Sequence, residues 1–145
     1  MIYKHLTDTS PYGGSTIAMD SFGGAASRKG LLEETSDAHR DSILKMQFIT
    51  NWPDPAEDAQ RIAHIDNFWT ELFTVSSKES KQKGTPAFND HTEGCYINYP
   101  DASLTKYDYW PQIYWGKGDL YPFLQRVKKK YDPNNVFHHA MSVKA

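Results

Sequence analysis

The fold turns on Gly94-Cys95-Tyr96-Ile97-Asn98-Tyr99-Pro100-Asp101-Ala102-Ser103-Leu104, where a short aromatic run stops at a Pro-Asp turn. Tyr96, Ile97 and Tyr99 favour a strand, and Pro100 cannot donate to a ladder, so a strand is expected to end there. Two phenols and one amide, that of Asn98, then stand where a strand meets a loop. Scaffolds hold binding and catalytic groups at such places, although buried tyrosines with one satisfied hydroxyl are the commoner case. The stretch by itself therefore argues for structure rather than catalysis.

Working outward, Ser15 to Phe22 fits one strand and Ser42 to Trp52 a second. On the first, Thr16, Ala18, Asp20 and Phe22 share one face, and Ile17, Met19 and Ser21 share the other. On the second, Leu44, Met46 and Phe48 form an apolar face against Ile43, Lys45, Gln47 and Ile49, which suggests an antiparallel sheet with one covered side. Asp20 stands directly before Phe22-Gly23-Gly24. It reads either as an edge carboxylate in water or bonded to its turn, or as a proton acceptor held on a rigid element. Residues 25–41 are polar and include Ala38-His39-Arg40-Asp41. The other signals of a kinase are missing, so phosphoryl transfer is set aside and His39 is expected to anchor a loop.

Residues 2–8 fit a short helix closed by the loop chemistry of 7–14. Pro53-Asp54-Pro55 opens the clearest helix, with Asp54 as its cap, Pro55 in the first turn, and Glu57 and Asp58 at the positive end of the dipole. Its expected core stripe is Ile62, Ile65, Trp69, Leu72 and Phe73, with His64 structural beside it. Residues 76–89 read as a mobile polar surface loop. Asp119 is expected to cap a last helix with Leu120, Phe123, Leu124, Val127 and Tyr131 on one face. Lys128-Lys129-Lys130 sits at its negative end, Asp132-Pro133 stops it, and a short extended tail follows.

Composition narrows the functional classes. The 145 residues carry 16 basic and 18 acidic side chains, net −2, and aromatic residues make up 14%. One domain fits that length, and the charge gives no footprint for nucleic acid. No apolar run suits a membrane span and no signal-peptide pattern is seen, so a soluble, cytoplasmic protein is expected. The single Cys95 excludes an internal disulfide and makes a structural metal improbable. Nine Tyr and four Trp suit a core, and equally a pocket for flat or sugar-like molecules.

The order strand, His-Arg-Asp, strand, helix, Tyr-Ile-Asn-Tyr-Pro-Asp, Tyr-Trp-Gly, helix, Lys-Tyr-Asp-Pro-Asn-Asn-Val-Phe resembles the C-terminal part of the berberine bridge enzyme-like FAD-linked oxidases, which include glucooligosaccharide oxidase-type enzymes. The likeness runs from about Ser15 onward and is most specific at 96–104 and 131–137. It implies an α+β fold, a small antiparallel sheet with helices on one face, forming one domain over 1–145 without the FAD-binding domain. It also implies that Tyr99 takes a proton from the substrate hydroxyl, assisted by Asp20, and that Tyr96 and Asn98 line the pocket. Phe22 and Gln47, on the two strands, join them as expected substrate-binding side chains. A phenol ordinarily ionises near pH ~10, so a base at neutrality needs a partner for its proton. Strand alternation sets Tyr96 and Tyr99 on opposite faces, so a bulge or a break at Pro100 is required for both to meet one substrate.

The FAD-binding domain of that family and its glycine-rich loops are missing from these residues, so no cofactor is expected on this chain alone, and FAD only if that domain is supplied. Two functions of different class follow. The first is a stand-alone small enzyme performing a cofactor-free, redox-neutral acid/base-assisted step, a cyclisation, isomerisation or pericyclic addition, on a hydrophobic natural product. The alternative is a piece of an FAD-dependent oxidase of alcohols or sugars; non-catalytic small-molecule binding is weaker. A partial sheet with a free edge also leads to the expectation of a homodimer burying aromatic residues.

Overall fold

The computed structural model describes residues 1–28, 35–77 and 80–145. Residues 29–34 of the first polar stretch and 78–79 of the second lie outside the described residues. The elements are α1 (Ile2–Leu6), β1 (Thr16–Ser21), β2 (Leu44–Ile49), α2 (Asp58–Ser76), α3 (Trp110–Trp115) and α4 (Leu120–Tyr131), with short 3-10 turns between them. Both expected strands form, each trimmed at its ends. They pair antiparallel, Thr16 opposite Ile49 through Ser21 opposite Leu44. The fold is therefore α+β, with a small antiparallel sheet, as the resemblance implies.

Register sorts the side chains of this hairpin into two faces. Ile17, Met19 and Ser21 share one with Phe48, Met46 and Leu44; Thr16, Ala18 and Asp20 share the other with Ile49, Gln47 and Lys45. Helix α2 covers only the Phe48 end of the apolar face, where that ring meets Phe68 edge-on at 5.3 Å and Phe73 at 6.1 Å. Beyond it Met19 is 65% and Leu44 57% exposed, so the expected covered side is covered over half its length.

Asp54 Oδ1 accepts the Ala56 N–H at 2.9 Å, and Pro55–Glu57 forms a 3-10 turn leading into α2. The stripe buried by α2 is Phe68, Trp69 and Phe73; Ile62 stays exposed. Polar contacts hold the first turns of α2 instead. Arg61 Nη1 donates to the Gly13 carbonyl at 3.0 Å and His64 Nδ1 lies 3.7 Å from Asp8. The aromatic core gathers Trp69, Phe73, Leu104, Trp110, Ile113, Tyr114, Trp115 and Met141. Phe123 and Tyr131 of the expected α4 face remain exposed, and the tail is no simple extension, because Met141 returns into the core. The 76–89 segment also departs from expectation: Thr85 and Ala87 are fully packed, not mobile surface. Lys128 is not merely solvated, since its ammonium meets the Asp132 carboxylate and the Phe137 carbonyl.

Candidate active site on the polar face of the hairpin

No strand forms at 94–100. Gly94 adopts φ +76°, in the left-handed region that favours glycine, and a Cβ there would sit 1.9 Å from the Ile113 carbonyl oxygen. Backbone that close leaves no room for a partner strand, so β-propensity has no ladder to satisfy. The chain turns instead, Tyr99 N–H donating to the Tyr96 carbonyl at 3.0 Å. Helix α3 holds both ends of this turn. Cys95 N–H donates to the Ile113 carbonyl at 2.8 Å, and Asp101 N–H to the buried Tyr114 hydroxyl at 2.9 Å. Asp101 Oδ1 accepts Ser103 N–H, starting the next 3-10 turn.

The turn resolves the alternation problem. Tyr96 and Tyr99 come together edge to face with ring centroids 5.6 Å apart, and Asn98 Nδ2 donates to the Tyr96 hydroxyl at 2.6 Å. They meet the polar face of the hairpin through Lys45. Its Nζ stands 5.5 Å from the Tyr96 centroid and 5.3 Å from that of Tyr99, while lying 3.5 Å from Asp20 Oδ2. Asp20 and the tyrosines are thus brought into one cluster, with Lys45 between them. Gln47 shares the face two residues along β2, opposite Ala18. Phe22 lies just past β1, half-buried, its N–H bonded to the Ile43 carbonyl at 2.8 Å.

Lys45 is the residue that sequence reasoning missed. The signal was a lone cation on a strand face, and only the cross-strand register that sets it opposite Asp20 gives it meaning. An exposed ion pair contributes about 0–1 kcal/mol and an exposed cation–π contact roughly 0.5–1 kcal/mol. Those sums are small beside an aromatic core, so the cluster matters more for the charge it sets beside two phenols than for holding the fold.

Cys95, at the foot of the turn, is no nucleophile: burial, with the Asp101 carboxylate nearby, pushes its thiol up to about 12. Burial likewise raises Asp101. Beside the turn, a cavity of about 300 Å³ is lined by Asp37, His39, Tyr96, Asn98 and Tyr114 among others. Among the described residues no three His, Cys, Asp or Glu side chains converge as metal ligands.

Residues 95–144, from this thiol through α3, α4 and the returning tail, match the family described as Berberine and berberine like. Proteins named as FAD-linked oxidoreductases and as berberine bridge enzyme-like match most of this chain. It is 36% identical over 149 residues to the aclacinomycin-N/aclacinomycin-A oxidase of Streptomyces galilaeus, covering 99% of this chain and 26% of that protein. Hexose oxidase of Chondrus crispus is 28% identical, over 99% of this chain and 28% of its own length. The crystal structure of GilR with pregilvocarcin, an oxidoreductase of gilvocarcin biosynthesis, superposes with a TM-score of 0.84 at 31% identity, over 99% of this chain and 29% of that one. The chain thus spans about a quarter of the length of these berberine bridge enzyme-like relatives.

FAD would need a cradle for its pyrophosphate, usually a helix N-terminus behind a glycine-rich loop. The starts of the two long helices do not fit that task. Asp54, Glu57 and Asp58 lead into α2 and Asp119 into α4, so a phosphate would meet carboxylates. Neither of these two helix starts offers a pyrophosphate seat of that kind.

Proposed function

We propose that this chain is the acid/base, substrate-facing part of an FAD-dependent oxidase acting on hydroxyl groups of sugars or of aromatic natural products. Tyr99, acting as the phenolate, accepts the hydroxyl proton and becomes neutral, Lys45 is the counter-cation of that phenolate before the transfer, and Asp20 holds Lys45 in place. Tyr96 and Asn98 orient the substrate, with Phe22 and Gln47 bordering it. The observation that carries the reading is Lys45 Nζ poised over both phenol rings while paired with Asp20. A cation fixed beside a phenolate favours the ionised base that the proton abstraction needs. The relatives are oxidases by name, which favours this reading over the cofactor-free, redox-neutral step. Oxidation of the carbinol carbon belongs to the flavin of the longer proteins, and the residues here contribute the proton transfer alone.

The test joins this chain to the FAD-binding part of a relative and follows bleaching of the flavin on adding a hexose, an oligosaccharide or a glycosylated aromatic compound without oxygen. Tyr99→Phe is expected to slow bleaching by roughly 10²–10⁴-fold, the usual contribution of a positioned acid or base. Lys45→Met slows it less, and Asp20→Asn least. Unchanged bleaching in Tyr99→Phe sinks the reading.

A further inference from the structure

The His-Arg-Asp stretch that the function does not use is tied to both halves of the candidate site. Asp37 Oδ1 takes the His39 backbone N–H at 3.0 Å and lies 2.8 Å from ring Nδ1. Burial acts to raise this carboxyl, but the His39 backbone and ring, with Arg40, outweigh it and hold Asp37 below the usual carboxylate range. An ionised Asp37 accepts only, so Nδ1 carries the proton and the ring is fixed in one orientation. The fixed ring packs on Phe88 at 5.6 Å. Phe88 in turn fills the space beside Gly94, 2.6 Å from where a Cβ would stand, at the foot of the tyrosine turn.

The same carboxylate faces the other way as well. Asp37 Oδ2 lies 3.5 Å from Arg40 Nη2, which also bonds Thr35 Oγ1 at 2.9 Å, and Nη1 donates to the Ala26 carbonyl at 3.1 Å. Ala26 belongs to the 3-10 turn Gly24–Ser27 that follows β1, the strand carrying Asp20. One carboxylate therefore links the exit of β1, through Arg40, to the foot of the 96–99 turn, through His39 and Phe88.

We propose that Asp37, His39 and Arg40 form a brace that sets the tyrosine turn against the Asp20–Lys45 pair, with Asp37 and His39 as positioning residues. Its functional meaning rests on the acid/base reading above, whereas its test needs no turnover. Asp37→Asn keeps the volume and removes the charge. In proton NMR of the chain, the cross-peaks from the Lys45 side chain to the Tyr96 and Tyr99 rings and between Phe88 and Gly94 are expected to disappear, while those between Trp69 and Phe73 in the core persist. His39→Ala is expected to give the same pattern. Wild-type intensity of the cross-peaks from Lys45 to the Tyr96 and Tyr99 rings in Asp37→Asn overturns the brace. So does loss of the Trp69–Phe73 cross-peak along with them, which would make Asp37 a general stabiliser. Turnover lost in Tyr99→Phe but untouched in Asp37→Asn would leave the acid/base reading standing and remove the brace.

Discussion

Replacing Gly94 by alanine tests the turn that carries both tyrosines. Its φ of +76° costs an L-residue about 1–2 kcal/mol. The new methyl group would also stand 1.9 Å from the Ile113 oxygen and 2.6 Å from Phe88 Cε2, distances no real contact shows, so backbone must move. The hydrogen bond from Cys95 N–H to that same oxygen, 2.8 Å long, is the first to open. Leaving its buried groups unpaired adds about 1–3 kcal/mol. The sum is ~2–5 kcal/mol. At roughly 2–4 °C per kcal/mol for a domain of this size, Tm should drop by at least several degrees. Circular dichroism melts read this, and Cys95, buried in the wild type, should react faster with a thiol reagent once the turn opens. A Tm within about 1 °C of wild type, with Cys95 still unreactive, would refute the account of the turn, because the strain and the lost bond could not both be absorbed.

Tyr114→Phe removes the hydroxyl that accepts the Asp101 N–H and keeps the ring in the core. A loss of about 1–3 kcal/mol in urea unfolding is expected, and a change below about 0.3 kcal/mol would show that the far end of the turn is held otherwise. The thiol gives a pH prediction whose sign is fixed. Cys95 keeps its proton up to about 12 when folded, against an ordinary value of 9.0. The unfolded chain releases that proton first, so stability falls as pH rises above 9.0 and towards 12. Cys95→Ala should flatten this alkaline limb relative to wild type, and parallel melts of the two proteins across it would contradict the assignment.

What could be read in the sequence depended on how local each feature is. Both hairpin strands, the Asp54 cap and α4 follow from alternation, turn chemistry and dipole complementarity, all within a few residues of one another. Tyr96, Ile97 and Tyr99 read as a strand because their propensities say so; the opposing fact, a backbone touching Ile113 across 19 residues of chain, is invisible until the fold exists. Phe68 escaped the α2 stripe for a related reason. Which side of a helix is buried depends on what comes to lie on it, here Phe48 and the ring of His5, stacked at 4.5 Å. In the site, the candidates were named from the resemblance, but their meeting point was not. Lys45 becomes its centre only through a pairing register and a turn that no short-range pattern encodes.

The hairpin has a second side, and its chemistry is unlike the first. Met19 and Met46 face each other across the strands, 65% and 39% exposed, with their backs to Asp20 and Lys45. Thioethers in the open oxidise to sulfoxides long before rings and methyls sealed in a core. Peroxide would therefore mark Met19, the most exposed methionine, long before Met141 in the core, turning an apolar strip polar while the charged pair on the reverse keeps its register. The same two methionines make the sheet a built-in gauge: whatever comes to cover that face, in a larger protein or a complex, would shield them, and the extent of sulfoxide formation would report it.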